Sequence, residues 1–142
     1  MKIFLDTSSL IKLYHSEIGT DLLDKIFEDF VINEIFLSDI AKVEFSSAIW
    51  KKVRTKDLTE KEANDILLSF TDDYGNYTFI EIDSELVQYA RDLVAKYGLK
   101  GLRTLDSFQL SSILKIKSDL TFAVTADDLL KTIIKLEGIT IK

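Results

Sequence analysis

The sequence predicts an α/β fold of three layers, α/β/α, in which a central parallel sheet of four to five short strands is covered by helices on both faces. Three observations lead there. Short apolar runs alternate with helix-period segments along the whole chain, the pattern of a parallel sheet joined by crossover helices. The apolar runs are consecutive rather than alternating, as in Ile3-Phe4-Leu5 and Ile35-Phe36-Leu37, which suits strands buried on both faces. Finally, 142 residues with 46% hydrophobic content fit one domain, residues 1–142, large enough to bury about two-thirds of the surface of its unfolded chain.

The elements follow in order. After the strand Ile3-Phe4-Leu5, the segment Ser8 to Tyr14 reads as a short helix with Leu10, Ile11 and Leu13 turned inward, broken at His15-Ser16-Glu17-Ile18-Gly19. A second helix runs from about Thr20 to Phe30, with Leu22, Leu23, Ile26, Phe27 and Phe30 at helical spacing and Asp21 in the first turn. Ile35 to Ser38 is a second strand, and Asp39 opens a helix from Ile40 to about Arg54. Thr59 and Glu62 have capping-box spacing and start a helix through Ile66, Leu67 and Phe70, ended by Asp72-Asp73-Tyr74-Gly75-Asn76. Tyr77 to Ile82 is a third strand; Ser84 caps a helix through Leu93 that Gly98 closes. A loop from Leu99 to Arg103 leads into a helix from about Leu105 to Lys115. Leu120 to Val124 is a fourth strand, Asp127 to Glu137 a last helix ended by Gly138, and Ile139 to Ile141 a short terminal strand. There are no repeats, no low-complexity tracts and no Pro.

Composition removes several chemistries. With no Cys, thiol catalysis, cysteine-ligated zinc and iron–sulfur clusters are excluded, and a reducing cytoplasm is compatible. No apolar run reaches membrane-spanning length and the amino end lacks a signal-peptide core, so a soluble, cytoplasmic protein without a membrane partner is expected. A formal net charge of −6 speaks against a broad basic surface that grips nucleic acid by counterion release. A nucleic-acid substrate would therefore need a divalent cation to hold its phosphate. Lys51, Lys52, Arg54 and Lys56 form a local basic cluster, which suits either a solvated helix end or backbone steering. The lone His15 lies in a loop and reads as a surface residue.

Four of the 24 acids fall where the pattern does not ask for them. Asp6 stands just beyond the carboxyl end of the first strand, the edge where open α/β sheets bind ligands; taken alone, capping the next helix is the commoner use of Asp6 or Thr7. Glu44 has Ile40, Val43 and Ala48 at helical spacing around it, so it leans on an apolar stripe. It must be protonated, ion-paired, bound to a cation, or placed at the stripe's edge. Asp106 opens a helix, an ordinary place for Asp, with Arg103 three residues before it. Asp127 repeats the position of Asp6 after the strand ending Val124-Thr125, and Asp128 competes with it as cap or functional acid. Four segments thus aim carboxylates at one sheet edge. Crowded carboxylates repel unless a cation neutralises them, and hard oxygen ligands without His or Cys favour Mg²⁺ or Mn²⁺.

The stretches Ile3-Phe4-Leu5-Asp6-Thr7-Ser8-Ser9, Val43-Glu44-Phe45-Ser46-Ser47-Ala48, Leu102-Arg103-Thr104-Leu105-Asp106-Ser107-Phe108-Gln109-Leu110 and Thr125-Ala126-Asp127-Asp128-Leu129-Leu130, taken in this order, resemble the signatures of PIN-domain proteins, in particular VapC-type toxins. The resemblance spans essentially the full chain. It implies a PIN-like fold and a Mg²⁺- or Mn²⁺-dependent endoribonuclease acting on RNA, usually homodimeric and inhibited by a small antitoxin protein whose tail enters the acidic crevice. The metal-binding acids would be Asp6, Glu44, Asp106 and Asp127, supported through hydrogen bonds by Thr125 or Ser8. The Asp127-Asp128 doublet departs from the pattern and leaves the fourth acid open.

Two other classes compete. A receiver-like signalling domain also carries acids at strand ends, and Asp83-Ser84 follows the third strand here, but Asp6 has no adjacent acid. A phosphatase with an Asp-x-Asp nucleophile fails because Ser8 fills the second position. A catalytically silent PIN-like scaffold that only binds a partner remains as the third reading.

Overall fold

The computed structural model describes all residues from Met1 to Lys142. Four strands, β1 (Lys2–Leu5), β2 (Glu34–Ser38), β3 (Thr78–Ile80) and β4 (Phe122–Val124), form one sheet in the order β3-β2-β1-β4, and every pairing is parallel. β1 is central because its backbone is matched on both sides: Phe4 stands opposite Phe36 on β2 and opposite Ala123 on β4.

Alternate residues of the strands serve opposite faces. Ile3, Leu5, Leu37, Phe122 and Val124 belong to one core, shared with α1 (Thr7–Ile11), α2 (Thr20–Asp29), α3 (Ala41–Arg54) and α4 (Glu60–Asp72). Phe4, Phe36, Ile80 and Ala123 belong to the other, shared with α5 (Ser84–Tyr97), α6 (Thr104–Lys115) and α7 (Asp128–Leu136). The consecutive apolar runs are therefore strands with two buried faces, as the sequence pattern requires. Right-handed crossovers account for the split. From β1 the chain steps outward to β2 and β3, which puts α1 to α4 on one side. It then crosses back over the sheet to β4, which puts α5 and α6 on the other. The direction reverses at β1, so the carboxyl edge between β1 and β4 is where the connections part.

Local details follow from side-chain chemistry. Thr59 and Glu62 make the expected capping box, the Thr59 hydroxyl accepting from the Glu62 amide at 3.2 Å and the Glu62 carboxylate from the Thr59 amide at 3.1 Å. Asp83, not Ser84, caps α5, its carboxylate accepting from the Leu86 amide at 2.8 Å. Gly98 does not close that helix in a left-handed turn. It continues into a 3₁₀ turn, and Gly101, at φ +100°, reverses the chain. The first helix is shorter than its pattern, ending at Ile11, and β3 shrinks to three residues at the sheet's edge. The terminal strand is reduced to one parallel bridge between Ile141 and Ala123. No helix is long and apolar enough to cross a membrane.

Candidate active site

Asp6 follows the last residue of β1, and its amide still donates to the Val124 carbonyl of β4 at 3.2 Å. Ladder continuity thus holds the residue between two strands and leaves it only 4% exposed. Its carboxylate accepts from the Ser9 amide at 2.8 Å, capping α1, from the Ser8 hydroxyl at 2.8 Å and from the Thr125 hydroxyl. Capping and site chemistry are therefore not alternatives for Asp6, since one oxygen serves the cap within a fully enclosed setting. Burial pushes the Asp6 carboxyl above the ordinary aspartate range, against the donors from Thr125, Ser9 and Ser8.

Glu44 projects from the first turn of α3 and is half-buried. Its neighbour Val43 is exposed, so Glu44 sits at the edge of the apolar stripe rather than within it. One carboxylate oxygen, Oε1, accepts from the Thr7 hydroxyl at 3.2 Å and from the Gln109 amide at 2.7 Å. Burial raises the Glu44 carboxyl above its usual range, and the charges of Asp6 and Asp106 add to the rise. Asp6 and Asp106, from two other segments of the chain, thus act on Glu44 through space.

Asp106, in the first turn of α6, meets Arg103 at 3.5 Å across one helical turn, the pair its spacing predicts; the Arg103 side chain is 81% exposed. Asp127 caps α7, accepting from the Leu130 amide at 2.6 Å, while its own amide donates to Thr125 Oγ1 at 3.1 Å. Thr125 is thereby a direct link between Asp6 and Asp127. Asp128, the competing acid, is exposed at the first helical position. Ser8 also donates to Asp6 and accepts from the Ala126 amide at 3.1 Å, tying the β1 and β4 loops together.

Asp6, Glu44 and Asp127 take part in none of the molecule's ion pairs. Three buried or half-buried carboxylates without a basic partner, held by neutral hydroxyl and amide donors, match the demands of a hard divalent cation. As they stand, no three carboxylate or imidazole groups are close enough to enclose an ion. A cation held by all four acids would require them to approach more closely than they do here. The donor set fits such a cation in type.

Thr7 and Gln109 are the site residues that composition and spacing did not single out. Gln109 is 3% exposed and lies one helical turn after Asp106 on α6. A buried amide within the run Gln109-Leu110-Ser111-Ser112-Ile113 is the signal that marks it. The lone His15 is half-buried. In the basic cluster, Lys52 pairs with Glu17 at 2.8 Å, while Lys51, Arg54 and Lys56 are exposed. Asp83, the candidate phosphoacceptor of a receiver-like domain, pairs with Lys115 at 3.3 Å. Its strand β3 lies at the sheet edge, two places from β1, whereas a receiver-type sheet sets the third strand beside the first.

A parallel sheet that reverses direction at β1, with the buried Asp6 at the carboxyl end of that strand, defines an α/β protein with an unpaired acid at its topological switch point. The model of the PIN domain family matches residues 3–136, and the chain belongs to that family. No curated protein matches the chain by sequence. Among solved structures, the chain is similar in fold to Mycobacterium tuberculosis VapC20, described as a toxin that cleaves the sarcin–ricin loop, with a TM-score of 0.71 at 12% identity over 92% of this chain and 94% of that one. It is also similar to VapBC-1 from nontypeable Haemophilus influenzae, with a TM-score of 0.67 at 11% identity over 100% and 97% of the two chains. A third is VapBC2 from Rickettsia felis, solved with a DNA fragment from its promoter, with a TM-score of 0.62 at 17% identity over 100% and 98%.

Proposed function

We propose that this protein is a Mg²⁺- or Mn²⁺-dependent endoribonuclease and the toxin component of a toxin–antitoxin pair. Its 142 residues would act as one PIN-like domain, as a homodimer in the cytoplasm, restrained by a small antitoxin. The observation that carries the reading is the half-buried Glu44 carboxylate, held at one oxygen by the neutral donors Thr7 and Gln109 and by no Lys or Arg. Structures similar in fold include the RNA-cleaving VapC20 and VapB–VapC complexes, which supports the substrate and partner classes.

In this reading Asp6, Glu44, Asp106 and Asp127 would hold the cation, and a cation held there would supply Lewis acidity toward water and counter-charge for the phosphate. The chain's own residues supply positioning. Ser8, Ser9 and Thr125 fix both oxygens of Asp6, and Thr7 and Gln109 fix one oxygen of Glu44. The Thr125 hydroxyl, which donates to Asp6, also accepts from the Asp127 backbone amide and so ties the two acids to one side chain. Arg103, exposed and already beside Asp106, is free to swing toward a phosphate when the acid is engaged elsewhere. No protein nucleophile is required. Incubating purified protein with RNA in Mn²⁺, in chelator, and as the Asp106→Asn and Glu44→Gln variants tests the reading. Cleavage should need the cation and fall at least about 100-fold in either variant; cleavage unchanged by both substitutions would overturn the assignment.

A further inference from the structure

Gln109 gives both hydrogens of its amide to the crevice: Nε2 stands 2.7 Å from Glu44 Oε1 and 3.0 Å from Thr7 Oγ1. The Thr7 hydroxyl in turn donates to the same Glu44 oxygen at 3.2 Å. The three side chains close a ring in which every donor is spent on Glu44 or on the residue that serves it. Meanwhile Gln109 Oε1 is buried with no partner. A buried unpaired carbonyl is costly and uncommon. Turning the amide over would not help, because it would set Oε1 against the Glu44 carboxylate and leave Thr7 without a donor. The orphaned oxygen is the consequence of presenting –NH₂ to Glu44.

We propose that Gln109 is a positioning residue for the cation site: it clamps Glu44 through one oxygen, in a single orientation, using donors that carry no charge. This rests on the reading of the crevice as a cation-dependent nuclease site. A Lys or Arg in the same place would make a stronger bond to Glu44 but would cancel the negative charge the cation needs. A hydrophobic residue would leave Glu44 free to rotate and half-desolvated with one donor, Thr7. The amide avoids both. Its place on α6, three residues after Asp106, also makes one helix responsible for a ligand at the rim and for the orientation of a second ligand on α3.

The test compares wild type with Gln109→Met, which keeps length and apolar bulk while removing the donors, and with Gln109→Glu, which keeps shape but reverses the chemistry. Binding of Mn²⁺ alone is measured by calorimetry, with no RNA present. The side-chain amide of Gln109 is followed by ¹⁵N NMR in cation-free wild type and Glu44→Ala. Gln109→Met should bind Mn²⁺ about tenfold more weakly while its cation-free melting curve stays cooperative. The amide signal, well dispersed in wild type, should move on loss of Glu44. Gln109→Leu serves as a second apolar variant should Gln109→Met fail to fold. Wild-type affinity in the apolar variant would overturn the positioning role while leaving the cation site standing. Absence of Mn²⁺ binding in wild type would overturn both.

Discussion

Replacing Asp6 by Asn should stabilise the cation-free protein. The carboxylate is fully enclosed between β1 and β4 and has no basic partner, and burying an ion costs several kcal/mol after relaxation. Three groups offset part of this, the Ser8 and Thr125 hydroxyls and the Ser9 amide. Each is worth about 1 kcal/mol more to a charged acceptor than to a neutral one. Burial outweighs them, since the carboxyl is held above its ordinary range, which leaves a net gain of about 1–2 kcal/mol for the neutral isostere. Asn fits the space, and its amide can donate to Thr125 while its oxygen keeps the Ser9 cap. An unfolding entropy of about 0.3 kcal/mol/K for a chain of this length turns that gain into a rise of about 3–7 °C in Tm at pH 7. The pH dependence has a definite sign. An acid whose folded pKa is raised binds protons more readily folded than unfolded, so wild type loses stability as pH rises from about 3.9 through the folded value. The advantage of the Asp6→Asn variant should therefore be largest at neutral pH and vanish in acid. Mn²⁺ at 100 times its Kd should add about 2.7 kcal/mol to wild type and far less to the variant. Thermal melts from pH 4 to pH 8, with and without Mn²⁺, decide it: a variant less stable than wild type at neutral pH, by a margin independent of pH, would refute the reasoning.

Phe45→Ala should cost about 3–5 kcal/mol, because the ring is fully buried, edge-on to Tyr14 at 5.4 Å and 4.3 Å from Phe70; urea unfolding reads this as a lowered midpoint. Glu17 accepts from Lys12 at 2.9 Å and Lys52 at 2.8 Å. Burial opposes its charge, but the two lysines outweigh it and hold the carboxyl below the usual glutamate range. Its contribution is present above about pH 4.3 and lost as pH falls through the lower folded value, so Glu17→Gln should cost about 1 kcal/mol at pH 7 and little near pH 3 in parallel melts. Arg103→Met should leave the cation-free Tm nearly unchanged, as expected for an exposed pair. It should tighten Mn²⁺ binding about 3–5-fold in calorimetry by removing a competing charge beside Asp106.

The sheet was readable because its strands are short, wholly apolar and buried on both faces, so Ile3-Phe4-Leu5 could hardly serve as anything else. Its order was not, because strand neighbours are set by which crossover packs where, and no residue in β3 announces that it lies at the edge. The positions of Asp6 and Asp127 were legible from the strand ends before them. Their link through Thr125 was a matter of register between strands 119 residues apart. Glu44 stood out against Ile40 and Ala48, yet its setting at the stripe's edge depended on Val43 turning outward, which helical spacing alone does not decide. Gln109 stayed silent because a single Gln in a helix is ordinary until its partner is known, and its partners come from α1 and α3. Gly98 misled for a local reason: glycine favours a helix end, but the chain needed its left-handed residue three positions later, at Gly101.

Two aspartates show why topology, more than residue type, creates the site. Asp83 and Asp6 both follow a strand, and both cap the next helix through the amide three residues on. Asp83 leaves an edge strand, where solvent and Lys115 reach it, and its carboxyl falls below the usual range through the Leu86 cap and that lysine. Asp6 leaves the central strand, walled by β2 and β4, where the only groups in reach are hydroxyls and an amide, and its carboxyl rises. The same local motif thus gives a plain helix cap at the rim of the sheet and an uncompensated charge at its centre. Under the proposed reading only the second gains from a cation, and it stands where the strand order reverses, at the edge where open α/β sheets take their ligands.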